Sequence, residues 1–147
     1  WQALATDIEA TCQDVLHQAW AFLDIDAQTP WLSLLLAGDS ELQALNLQFR
    51  GQDKPTNVLS FPSPDAVAAG EDSLDVLGDI ALSCETIQRE ADEQGKKVAH
   101  HLTHLLVHGL LHLLGYDHEQ DDDAATMEQL EIDILGEMGL ANPYELA

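Results

Sequence analysis

VAHHLTHLLVHGLLHLLGYDH, residues 98–118, is the stretch around which the rest of this chain has to be arranged. From Val98 to Leu114 apolar residues cover most of the girth of a helix, so this helix is expected to be largely buried. His108 and His112 are four apart, about 40° around the axis and one turn along it, so their two imidazoles can meet one metal ion. Gly115 is expected to end the helix, because a left-handed C′ position costs glycine least. The chain can then turn back and deliver His118 to the same ion. Three neutral nitrogen ligands with one open position make a catalytic zinc site, whereas a closed structural site adds a fourth protein ligand, commonly cysteine, and none lies nearby. Imidazole also suits nickel, copper, cobalt or iron, with zinc preferred here.

This spacing resembles the HExxHxxGxxH segment of metzincin proteases in every element but the glutamate, whose place is taken by Gly109. In those proteases the glutamate is the general base that activates water on the metal. Glycine transfers no proton, so peptide hydrolysis by that route is in doubt. The ion can still lower the pKa of a water to about 7 and polarise a substrate oxygen, which leaves a hydrolase of a different bond open.

HGLLHLLGYDH at 108–118 also resembles the histidine signature of the YbeY endoribonucleases. DKPTNVLSFP from Asp53 to Pro62 is similar to a central motif of that family, and Leu77-Gly78-Asp79-Ile80 to another. The helical stretch from about Ala124 to Met138, followed by Asn142-Pro143-Tyr144, is similar to the family's C-terminal end. The resemblance implies a single-domain, zinc-dependent, single-strand-specific endoribonuclease, acting in the cytoplasm in small-subunit ribosomal RNA maturation (3′ end processing) and ribosome quality control. It implies ribosomal RNA and the ribosome or its proteins as partners, with no membrane and no DNA. It implies one zinc per chain held by His108, His112 and His118, and a functional role for Arg50. The family usually begins with a short strand before its first helix. This chain opens at Trp1 in helical pattern and without methionine, so that strand is expected to be missing from it.

Composition bounds the reading. At 147 residues and 46% hydrophobic, residues 1–147 fit one domain with a core of ordinary size. No run approaches the ~18 apolar residues of a membrane span, and no basic-then-apolar leader is present. Cys12 and Cys84 fit no metal or redox spacing and are expected to be reduced, buried thiols. Five Lys and Arg against 27 Asp and Glu give a net charge of −22, the opposite of a typical nucleic-acid binder. RNA must therefore be met locally. Arg50 and Lys54 bracket the start of the DKPT segment, and a fork-shaped guanidinium suits phosphate, so both are candidate substrate-binding residues. Lys96 and Lys97 precede the histidine helix and serve equally well as a solvated pair.

The remaining periodicities fill in a fold. Helical spacing runs from about residue 4 to 23, a strand-length apolar run from Trp31 to Ala37, and a helix from Asp39 or Ser40 through Phe49, with Leu42, Leu45 and Phe49 inward. Val58–Phe61 is expected to be a strand closed by Pro62, residues 63–73 a loop over a site, and Val76–Leu82 a central strand. A charged helix covers Glu85–Gln94 and ends at Gly95. Asp121–Asp123 favour the start of a last helix. This order predicts an α+β domain with helices packed on a small mixed sheet, distantly metzincin-like around the metal.

Other polar residues are assigned by position. His104, one turn before His108, offers a fourth ligand or a group behind a ligand, although lining the cleft or facing solvent is the stronger expectation. His100 and His101 are expected to be exposed, and His17 unrelated to the site. Asp117 either orients a ligand or caps a turn. Asn57 and Ser60 either pair backbone groups or face the cleft, and Met127 and Met138 belong to the core. The expected mechanism has Arg50 stabilising charge on phosphorus, helped by Lys54, beside the metal that His112 and its partners hold. Two other readings stand beside it: a metallopeptidase-like hydrolase with a base from outside the motif, and a non-catalytic ribosome-assembly factor stapled by zinc.

Overall fold

The computed structural model describes residues 1, 7–23, 31–62, 76–116 and 121–144. Eight elements follow in order: α1 (Ile8–Leu23), β1 (Trp31–Ala37), α2 (Asp39–Arg50), β2 (Val58–Pro62), β3 (Val76–Ser83), α3 (Cys84–Gln94), α4 (Val98–Leu113) and α5 (Asp121–Glu137). The strand order is β1-β3-β2, with β1 parallel and β2 antiparallel to β3. The mixed sheet with β3 at its centre is the arrangement expected from the sequence. The loop expected over residues 63–73 lies outside the described residues, as do residues 2–6. Among the described residues no helix is long and apolar enough to cross a membrane.

Alternation along β3 divides the core between the two faces of the sheet. Ile80 and Leu82, both fully buried, join the large cluster built with Leu102, Leu106, Leu110 and Leu111 of α4, Cys12 and Ala19 of α1, and Met127, Ile134 and Leu135 of α5. Ala81 and Leu59 pack with Leu42 of α2 on the other face. Helix α4 is thus wrapped on most sides, as its near-continuous apolar surface requires. Its end is a Schellman turn: Gly115 N–H donates to His112 O (3.0 Å) and Tyr116 N–H to Leu111 O (3.0 Å), with Gly115 at φ 99°. The glycine stands where the sequence demanded a left-handed residue.

Three expectations are corrected. Phe49 is 54% exposed, not inward. The buried face of α2 is carried by Leu42 and Asn46, and the Phe49 ring instead meets the half-buried ring of Phe61 at 5.0 Å. His101 is buried, not exposed, because α3 packs over the first turn of α4 and presents Glu90, whose Oε1 lies 3.0 Å from His101 Nε2. Burial lowers the His101 pKa below its ordinary 6.5, against the opposing pull of Glu90. Cys12 is fully buried and burial raises its thiol to about 11, whereas Cys84, at the start of α3, is only half-buried.

Candidate metal centre

Helix α4 carries His104, His108 and His112 on successive turns of one face. The rings of His108 and His112 meet edge to face with centroids 4.5 Å apart, and their Nε2 atoms are 3.0 Å apart. Two imidazole nitrogens that close can both reach an ion at the usual ~2.0–2.1 Å for zinc, so the donor pair fits the metal expected from the sequence. His118 and Asp117 lie outside the described residues.

The other side of His108 is set by a residue that sequence reasoning missed. Its Nδ1 is hydrogen-bonded to Oε1 of Glu131, a residue with no exposed surface. The second oxygen of Glu131 accepts from Tyr144 Oη and faces His104 Nε2 at 3.2 Å. Burial pushes the Glu131 carboxyl up, but hydrogen bonds from His104, His108 and Tyr144 outweigh it and hold the pKa at about 2. Partial burial and the adjoining Glu131 carboxylate push the Tyr144 phenol well above its ordinary value. His104, His108 and Glu131 bring possible ligand atoms within 4.8 Å of one another, a group able to hold a metal ion. His104 is therefore part of the centre's inner architecture rather than a solvent-facing residue.

A cleft of about 760 Å³ opens beside this centre, lined by His108 and His112 together with Arg50, Asn57, Ser60 and Tyr116, among others. Arg50 reaches it from the last turn of α2. Its Nη2 donates to Ser60 O (3.0 Å) and its guanidinium stands 5.7 Å from the Phe61 ring centroid. The motif Asp53–Pro62 builds the cleft wall. Ser60 Oγ donates to Gly109 O (3.2 Å), which ties β2 to α4 immediately beside His108. Asn57 Oδ1 accepts from Val58 N–H (2.7 Å), and Asn57 Nδ2 donates to Glu90 (2.9 Å), the carboxylate that also engages His101.

Lys54 is exposed and absent from the cleft lining, and its carbonyl accepts from Asn46 Nδ2 (2.9 Å). Lys96 Nζ donates to Pro143 O (3.2 Å), so this cation supports the C-terminal segment that carries Tyr144. The structure thus brings together His108, His112 and Arg50, while Lys54 and Lys96 stand apart from them. No Asp or Glu is among the described residues that line the cleft, despite the acidity of the chain. The walls present an arginine, two imidazoles and neutral amides and hydroxyls, an inventory that accepts an anion.

A family model described as Endoribonuclease YbeY matches residues 2–139. Similar curated proteins carry the same description. One from Rhodopseudomonas palustris strain HaA2 is 48% identical over 149 residues, covering 98% of this chain and 76% of its own length. One from Bradyrhizobium diazoefficiens is 47% identical over 98% of this chain and 79% of its own. One from a Chelativorans species is 55% identical over 113 residues, covering 77% of this chain and 69% of its own. Among solved structures, the solution structure of a Thermotoga maritima protein is similar in fold, with a TM-score of 0.57 and 24% identity over 92% of each chain.

Proposed function

The chain belongs to the Endoribonuclease YbeY family, and on that premise we propose that it is a zinc-dependent endoribonuclease specific for single strands. Residues 1–147 act as one hydrolase domain that works in the cytoplasm on the 3′ end of small-subunit ribosomal RNA and in ribosome quality control. Ribosomal RNA and the ribosome or its proteins are its partners. The observation that carries the reading is the juxtaposition in one cleft of Arg50 with the paired Nε2 atoms of His108 and His112.

His108, His112 and His118 would hold one zinc ion. Bound there, zinc supplies Lewis-acid chemistry, polarising a phosphodiester oxygen and easing the loss of a proton from water. The chain's own residues supply the rest. Arg50 is anchored at one N–H by Ser60 O and braced by the Phe61 ring, which leaves other N–H donors of its planar fork for phosphate oxygens. Its fixed positive charge offsets the negative charge that builds on phosphorus in the transition state. Lys54 adds a more distant positive charge on the approach. Gly109 stands in sequence where a metzincin carries its general-base glutamate, so the helix motif itself supplies no carboxylate base.

Metal analysis and single-stranded RNA cleavage on one preparation test this. Wild type is expected to carry about one zinc per chain and to cleave in a metal-dependent way, and His112→Ala to lose both. Arg50→Ala is expected to keep its zinc and lose cleavage by roughly 10²-fold or more, the scale of removing one transition-state charge donor. Normal cleavage by Arg50→Ala sinks its assigned role. Zinc without cleavage in the wild type favours the stapled assembly factor, and peptide turnover favours the metallopeptidase.

A further inference from the structure

Glu131 is a buried carboxylate whose place in the fold the cleavage chemistry above does not use. It lies on the inward stripe of α5, four residues after Met127 and four before Leu135, both buried in the core. A carboxylate at such a position is costly unless its lone pairs are met by donors. Here they are met from three directions: His108 from α4 at Oε1, and His104 from α4 and Tyr144 from the C-terminal segment at Oε2.

This pattern sets which nitrogen of His108 is turned to the cleft. With Nδ1 turned to the Glu131 carboxyl group, Nε2 is the ring nitrogen of His108 left to face an ion. Nε2 is the atom that faces His112 Nε2 at 3.0 Å, on the side of the cleft. His104 Nε2 is turned to the same carboxylate as well as to Tyr144 Oη (3.4 Å). Glu131 therefore stands behind His108 rather than beside His112.

We propose that Glu131 is a positioning residue for the metal centre, holding His108 in the ligating tautomer and orientation, and that Tyr144 extends this control to the C-terminal segment. The inference rests on His108 and His112 being metal ligands. Tyr144 shares the carboxylate and so limits how Glu131 can swing, while Lys96 holds the adjoining carbonyl of Pro143. Backing groups of this kind typically change metal affinity by about 10–100-fold when removed.

The test measures cobalt(II) and zinc(II) dissociation constants by chelator competition on the full chain, for wild type, Glu131→Gln, Tyr144→Phe and His112→Ala. The visible spectrum of the cobalt form and the melting temperature of the metal-free form are recorded beside them. Glu131→Gln is expected to weaken binding about 10–100-fold with the cobalt spectrum retained. Tyr144→Phe, at a side chain 43% exposed, is expected to give a smaller loss in the same direction, again with an unchanged spectrum. Equal affinity in wild type, Glu131→Gln and Tyr144→Phe, with binding lost in His112→Ala, overturns the positioning role and leaves the metal site intact. A cobalt spectrum altered by Glu131→Gln also overturns it, by making Glu131 a ligand. Failure of wild type to bind either ion overturns the metal reading itself. Should Glu131→Gln not fold, Tyr144→Phe decides alone: weakened binding with an unchanged metal-free melting temperature sustains the proposal, and unchanged binding ends it.

Discussion

Gly109 shows how a single missing side chain fixes what a helix can do. A Cβ at this position would come within 3.2 Å of Ile80 Cδ1 and of Ser60 Oγ, and within 3.3 Å of Ile80 Cγ2. Ile80 is fully buried at the centre of the sheet and cannot yield cheaply. A side chain at the residue after His108 would therefore press on Ile80 and Ser60 of the sheet. Gly109→Glu would force a charged side chain into this contact, at a cost of at least about 3 kcal/mol from overpacking and an unmet buried charge. Thermal unfolding should register a fall of about 6–12 °C in Tm, and a variant that melts with wild type would refute the close packing. The same scale explains why Glu131 escaped sequence reasoning. It is one of 27 acidic residues, and only its register between Met127 and Leu135 set it apart. An acid interrupting an apolar stripe was a signal available in the sequence, masked by the acidity around it.

At the level of elements, the strands and helices were legible because their periods are clean: the spans from β1 to α4 agree with expectation to within a residue or so. The last helix starts at Asp121, in agreement with the acidic residues that favour a helix N-terminus. What periodicity left out was how helices are tied to one another. The start of α2 is bound to the start of α3 through Asp39, whose Oδ1 accepts from Ser83 Oγ and Thr86 Oγ1, both at 2.5 Å. These hydrogen bonds lower the Asp39 pKa from 3.8, with a smaller contribution from Arg89, so the ionised form favours the folded state. The contribution is present above the unfolded-state value of about 3.8 and fades as pH falls through the lower folded value. Asp39→Asn should lower Tm by about 2–4 °C at pH 7, as expected for roughly 1 kcal/mol in a domain of this size. The gap between variant and wild type should close as the pH drops below about 4; a gap that stays constant into acid would show that ionisation of Asp39 is irrelevant. His101 was misjudged for a related reason, since nothing in the sequence of α4 announces that Glu90 of α3 will cover its first turn.

The molecule as a whole sets its charge against its site. A net charge of −22 surrounds a cleft whose described lining holds Arg50 and two imidazoles and no carboxylate. A basic nuclease that neutralises 6–10 phosphates loses about 10³–10⁵ in affinity between 50 and 200 mM salt, because bound counterions are released. Here the long-range field opposes RNA and salt screens it. Affinity for an uncleavable single-stranded RNA should therefore be flat or rise over about 50–200 mM NaCl. Fluorescence anisotropy will check this, and a steep fall would point to basic contacts beyond those described. This global balance was fully legible from composition. Which residues meet in the cleft was only partly so: the histidine spacing announced His108 and His112, and nothing local announced that Arg50, fifty-eight positions earlier than His108, would share their walls.

The clasp of Glu131 and Tyr144 behind His108 also has a consequence in time. Synthesis delivers the chain from its N-terminus, so a ribosome making this protein extrudes His108 and His112 first, then Glu131, and Tyr144 later still. If that clasp governs how well the ion is held, a nascent chain exposes its histidines before they can hold an ion at full strength. The metal centre would then reach its full hold on an ion only after Tyr144 has followed Glu131 out of the ribosome.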